Sequence, residues 1–174
     1  MKKQRLLVLL IAIVIMLSSC GKSETPTDAT LGSFETLDLQ GNDVTYEVFM
    51  ENDITMVNIW ATWCPPCVEE MPALAKLNEQ LPDNVGLIGI CTDAKDEADS
   101  AKEIMKASNA TFTVLIPTDD MEAGFLSTVD AIPTTIFVDS EGNIVGSRQL
   151  GVPGRGEDAT IKGYLDLIDN ALNQ

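Results

Sequence analysis

The chain has 174 residues, 27 acidic against 11 basic, and a formal charge of −16, which argues against nucleic acid as a partner. It contains no histidine and only four cysteines. Acidic residues spread over 93–103, 119–122 and 157–169 read as solvated faces, and no EF-hand spacing gathers them into a calcium loop.

Lys2, Lys3 and Arg5 form a basic start, and residues 6–17 are an unbroken apolar stretch too short for a comfortable membrane span. The stretch closes in Leu17-Ser18-Ser19-Cys20, which resembles the lipobox of bacterial lipoproteins. That resemblance implies a signal peptide over residues 1–19, cleavage before Cys20 and lipidation of its thiol, against the alternatives of an ordinary signal peptide or an uncleaved anchor. Residues 20–30 are small and polar, a flexible tether, and residues 31–174 are the size of one domain.

In that domain, residues 34–39 and 44–49 flank a turn at Gln40-Gly41-Asn42-Asp43 and predict a β-hairpin. The β-branched run 54–60 predicts a buried central strand. Val68, Met71, Leu74, Leu77 and Leu81 recur at helical spacing and predict a helix over 67–81, kinked at Pro72. A strand over 85–91, a helix over 96–107, a strand over 111–116 and a short segment over 121–129 follow. Residues 134–138 and 144–149 then read as a hairpin around 139–143, and 157–172 as a closing helix. Strands alternating with helices early, and a hairpin plus helix late, indicate an α/β sandwich with a mixed central sheet.

The chemistry-bearing motif is Trp63-Cys64-Pro65-Pro66-Cys67, at the junction of the central strand and the first helix. Unpaired N–H groups and the dipole at a helix N-terminus favour the thiolate of the first cysteine, and the thiolate is the reactive form. A zinc site needs about four donors, and only Cys20 and Cys91 remain to supply them. A purely structural disulfide would close so short a loop that it stabilises little. Redox chemistry is the reading that survives.

Trp60-Ala61-Thr62-Trp63-Cys64-Pro65-Pro66-Cys67, Pro72 in the next helix, Ile132-Pro133-Thr134 and the turn at Gly142 resemble the thioredoxin fold, and more narrowly the membrane-anchored TlpA/ResA-like thiol-disulfide oxidoreductases. The resemblance implies a thioredoxin-like domain with an added N-terminal hairpin and a central inserted helix and strand at roughly 93–116. It makes Cys64 the exposed attacking thiol, Cys67 the buried resolving thiol and Pro133 a cis-proline, with Ile132 pairing an extended substrate. Trp63, Pro65 and Pro66 would complete the substrate surface. No cofactor or metal is implied. The implied partners are exported proteins bearing disulfides, such as apocytochrome c or an exported methionine sulfoxide reductase, and a membrane electron donor of the CcdA/DsbD type, acting on a lipid-anchored monomer outside the cytoplasm.

Asn58 stands where thioredoxin has a buried, proton-accepting aspartate, whereas Glu70, one turn after Cys67, matches a glutamate that ResA-like proteins use. Glu70 is therefore the candidate for managing the Cys67 proton, against the alternative of a solvated glutamate like Glu69. Pro65 and Pro66 supply no N–H to the Cys64 sulfur, which points to a reductant. The rival readings are a disulfide oxidase or isomerase, a thiol peroxidase, although Ala61 replaces the threonine that chemistry uses, and an inert lipoprotein module. Cys91 reads as a buried free cysteine, with Trp60 in the core and Trp63 at the surface.

Overall fold

The structure, a computed structural model, describes residues 30–174. The expected signal peptide, the lipidation site Cys20 and most of the tether lie outside the described residues. Seven strands and four α-helices follow in order: β1 (Glu35–Leu37), β2 (Asp43–Thr45), β3 (Ile54–Trp60), α1 (Pro65–Asn78), β4 (Val85–Cys91), α2 (Ala94–Ala107), β5 (Thr113–Leu115), α3 (Asp119–Ala123), β6 (Thr134–Asp139), β7 (Ile144–Leu150) and α4 (Glu157–Leu172). Five strands make one mixed sheet in the order β5-β4-β3-β6-β7, with β3, β4 and β5 parallel and β6 and β7 antiparallel.

β3 is buried at every position, as a strand flanked on both edges and covered on both faces must be. The two-residue period of a strand then sorts its side chains. Ile54, Met56 and Trp60 join one core with Met71, Leu74 and Leu77 of α1 and Tyr164 and Ile168 of α4. Val57 and Ile59 join the other, with Phe34, Phe49, Met121 and Phe125. Asn58 has the parity of Met56 and Trp60, so it points at the helical face. Gly89 opposes the same core, and a Cβ there would come within 3.2 Å of the Trp60 indole nitrogen, so glycine makes room for the ring.

β1 and β2 form a separate antiparallel pair that lies along the edge of β5, through an isolated bridge of Asp38 with Leu115 and Leu39 N–H donating to Val114 O at 3.0 Å. The expected second hairpin strand over 44–49 ends at Thr45, and Tyr46–Glu51 is a 3-10 helix that buries Phe49. α1 begins at Pro65 and ends before Leu81. It runs on through Pro72, and the departure from helical dihedrals falls instead at Glu97 of α2. α2 starts at Ala94 rather than 96, β5 is shorter than the expected 111–116, and the segment over 121–129 is α3 followed by a 3-10 turn, Phe125–Thr128.

The loop between β7 and α4 folds back on the first turn of α4, where the Thr160 hydroxyl donates to Gly154 O at 3.3 Å. A Cβ at Gly154 would sit 2.3 Å from the Ala159 carbonyl carbon. Backbone cannot yield as a flexible side chain does, so Gly154→Ala is expected to lower the unfolding free energy by about 1–3 kcal/mol, read from urea titrations of the oxidised chain; an unchanged midpoint would mean that the loop is not held against α4.

Candidate active site

Cys64 caps α1, with Pro65 and Pro66 as its first two residues, and Cys67 follows within the first turn. Proline suits these positions because the missing N–H has no intrahelical partner there anyway. The two cysteines form a disulfide with S–S 2.09 Å. Cys67 is fully buried. Cys64, expected to be exposed, is only 3% exposed in the closed disulfide, and its sulfur lies 3.8 Å from the Ile132 carbonyl oxygen. The surface is supplied instead by its neighbour Trp63, 69% exposed, and by Pro65 and Pro66.

Ile132–Pro133 is a cis peptide bond, as expected, and places the half-buried Ile132 and the buried Pro133 beside the pair. Gly151 N–H donates to Pro133 O at 2.8 Å, tying this loop to the end of β7.

Glu70 is not a solvated glutamate: it is 3% exposed, whereas Glu69 is open to solvent. Asn58 Nδ2 donates to Glu70 Oε1 at 3.1 Å, and the Tyr164 hydroxyl donates to Oε2 at 2.8 Å. Asn58 Nδ2 also donates to Thr135 Oγ1 at 3.2 Å, and Thr135 Oγ1 donates to the Tyr164 hydroxyl at 3.4 Å. The four side chains, from β3, α1, β6 and α4, thus close a hydrogen-bonded ring. Burial raises the Glu70 carboxyl from 4.5 to about 7, with the Tyr164 and Asn58 hydrogen bonds pulling the other way. Burial and the nearby Glu70 charge push the Tyr164 phenol far up, so it remains a donor. The polar contacts of Tyr164 and Thr135 carry no signal in the sequence; their partners lie 94 and 77 positions away, and spacing along the chain does not report such contacts.

Glu70 also borders a groove of about 500 Å³ between α1 and the β7–α4 loop, with Pro66, Glu69, Arg155 and Glu157 around it.

Asp93, grouped in the sequence with solvated acids, is half-buried and clamps the loop ahead of Cys64. Its carboxylate accepts the Thr62 N–H at 3.1 Å and the Thr62 hydroxyl, and the Cys91 thiol donates to it at 3.1 Å. Cys91 is buried and free, and burial together with Asp93 pushes its thiol well up. Among the described residues there is no group of three or more side chains fit to hold a metal.

Residues 23–165 match the family model described as Redoxin. A thiol-disulfide oxidoreductase ResA of Bacillus cereus is 26% identical over 97% of this chain and 99% of its own. The thioredoxin-like protein YneN of Bacillus subtilis is 32% identical over 51% of this chain, and the match spans about half of YneN, 52%. The crystal structure of StoA from Bacillus subtilis superposes with a TM-score of 0.60 at 20% identity, over 78% of this chain and 98% of that one. The fold is thioredoxin-like, with the N-terminal pair of strands added.

Two outcomes follow from this geometry. Between pH 4.5 and about 7 the folded chain holds a proton on Glu70 that the unfolded chain has already released. Stability from this group is therefore full below pH 4.5, falls as pH rises toward 7, and is lost above it. Glu70→Gln is expected to stabilise the oxidised chain more at pH 8 than at pH 5, by about 2–3 kcal/mol, in chemical denaturation at the two pH values; equal effects at both would mean an ordinary carboxyl. In the reduced chain, iodoacetamide should modify Cys64 in the native state and Cys91 only after unfolding, as peptide mass mapping would show.

Proposed function

The chain belongs to the Redoxin family and is a ResA-like thiol-disulfide oxidoreductase of the thioredoxin superfamily, and from that premise we propose that it reduces disulfides in exported proteins at the outer face of the cell membrane. The observation that carries the reading is a cysteine pair at a helix N-terminus, beside the Ile132–Pro133 loop and one helical turn before a buried glutamate.

In the reducing direction the Cys64 thiolate attacks one sulfur of the substrate disulfide. A Cys64–substrate disulfide forms and the other substrate sulfur leaves as a thiolate. Glu70, as carboxylate, takes the proton from the Cys67 thiol. The Cys67 thiolate then attacks Cys64, the Cys64–Cys67 bond forms, and the second substrate sulfur leaves. Two electrons pass from the enzyme dithiol to the substrate, and the released thiolates are protonated. An extended substrate segment lies against the Ile132 backbone, with Trp63, Pro65 and Pro66 as its apolar surroundings.

The direction follows from what surrounds the Cys64 sulfur. Pro65 and Pro66 offer no N–H, and the Val68 N–H is already committed to Cys64 O at 3.1 Å. That leaves the Cys67 N–H in the first turn as the backbone donor, and the Ile132 carbonyl oxygen presents negative charge. Both raise the cost of a thiolate at Cys64. A thiolate that is costly to hold destabilises the reduced form, and the pair becomes an electron donor.

Among the described residues no helix is long and apolar enough to cross a membrane; we assign attachment to a lipid on Cys20, a reading supported by the lipobox-like Leu17-Ser18-Ser19-Cys20. The oxidised pair is recharged by a membrane electron donor of the CcdA/DsbD type. Apocytochrome c or an exported methionine sulfoxide reductase is the substrate that fits this route.

Cys67→Ser should accumulate a covalent adduct with a disulfide-bearing protein on non-reducing gels, and Cys64→Ser should form none. Equilibration of the wild-type pair in thiol buffers should give a potential near that of thioredoxin, about −270 mV, whereas about −120 mV would mark an oxidase. Absence of adducts from both variants would leave a redox-inert module.

A further inference from the structure

Tyr164 is a fully buried tyrosine on α4, the last helix of the chain, yet it is in direct contact with the acid beneath the cysteines. We propose that Tyr164 is a positioning residue for the redox reaction: its hydroxyl, itself held by Thr135, fixes the Glu70 carboxylate and stabilises the ionised form that takes the Cys67 proton. The proposal rests on the role given to Glu70 above.

Three observations carry it. The hydrogen bond is short, 2.8 Å, and joins two buried side chains. A donor to a buried carboxylate is worth more than one at the surface, because the charge it satisfies has lost its hydration. The tyrosine is also oriented: Thr135 donates to its oxygen, which leaves the phenolic proton for Glu70 Oε2. And the ring distributes donors evenly, Asn58 on Oε1 and Tyr164 on Oε2, so each oxygen keeps a lone pair for an incoming proton.

The surroundings leave few other groups able to do this. From β3 the carboxyl group meets Asn58 and from α4 Tyr164, Thr135 of β6 is bonded to both of these, and Cys67 lies one turn away along α1. On the groove side stand Glu69, Arg155 and Glu157, all exposed, and Lys76 is engaged with Glu157 at 2.5 Å. No cation contacts Glu70 within the described ring. Uncharged donors therefore supply the stabilisation, and Tyr164 makes the shortest of these bonds.

Thr135 gives the device a second consequence. It lies two residues after Pro133, on the strand that begins at the substrate loop, so the ring couples the proton acceptor to the loop that would contact substrate.

The test is the titration of the Glu70 carboxyl carbon by NMR in the full-length chain labelled with 13C at glutamate Cδ, its signal identified by loss in Glu70→Gln. In Tyr164→Phe the ring packing is kept and the donor removed, and the midpoint should rise by about one pH unit. Thr135→Val should raise it less, in the same direction. An unshifted midpoint in a folded Tyr164→Phe overturns the proposal; should that variant not fold, Thr135→Val decides it on the same readout. Disulfide exchange with a small disulfide, followed over pH, separates the two readings. If Tyr164→Phe shifts both the carboxyl titration and the exchange profile upward, the positioning role stands. If the titration moves while Glu70→Gln leaves the exchange profile unaltered, the catalytic role of Glu70 fails, and the redox role of Tyr164 fails with it.

Discussion

The active end of the molecule is organised around one ionisable group, Glu70, that is almost fully buried. A buried carboxylate is costly unless every lone pair that it exposes finds a donor. Here the donors come from two separate elements, Asn58 on β3 and Tyr164 on α4, with Thr135 of β6 bonded to both, while the acid itself rides on α1. None of these four pieces can shift without leaving a polar atom unpaired. The requirement to satisfy Glu70 therefore also fixes how α1, which carries the cysteines, sits against the sheet.

Asn58 belongs to the same logic. A carboxylate at position 58 would lie beside Glu70, and two like charges at this distance cannot both ionise at neutral pH. An asparagine in the strand avoids that conflict and donates twice, to Glu70 and to Thr135. The acid has in effect moved from the strand to the helix. On the other side of the cysteines, Asp93 does for the Thr62 loop what the ring does for α1, accepting from the Thr62 backbone and hydroxyl and from the Cys91 thiol. The disulfide is thus held between two polar anchors, with the exposed Trp63 between them on the surface.

Much of this was legible before any coordinates. β3, β4 and α4 agree with residues 54–60, 85–91 and 157–172, since a β-branched run and a helical stripe each have one reading when packed on both sides. The turns expected at residues 40–43 and 139–143 are present, the first beginning two residues early, and in each an aspartate, Asp38 or Asp139, accepts from the backbone two and four residues on. The misreadings share a cause. Residues 46–49 read as a continuation of the strand from Val44, but beyond the Tyr46 N–H bond to Phe34 O the chain coils into a 3-10 helix and buries Phe49. Asp93 looks like its acidic neighbours until the fold brings Thr62 to it. The helical stripe of α4 shows that Tyr164 faces inward, but not that its hydroxyl meets an acid from another helix.

The N-terminal pair of strands covers the outer edge of β5, which would otherwise present a row of unpaired backbone groups to any passing chain. The covering residues come first in the chain and their partners about eighty positions later: Thr36 reaches the Ile116 carbonyl across 80 residues. During synthesis residues 36–39 therefore wait for their β5-side partners until residue 116 has been made. The guard is made before the edge it covers, so β5 never exists without the strands that shield it.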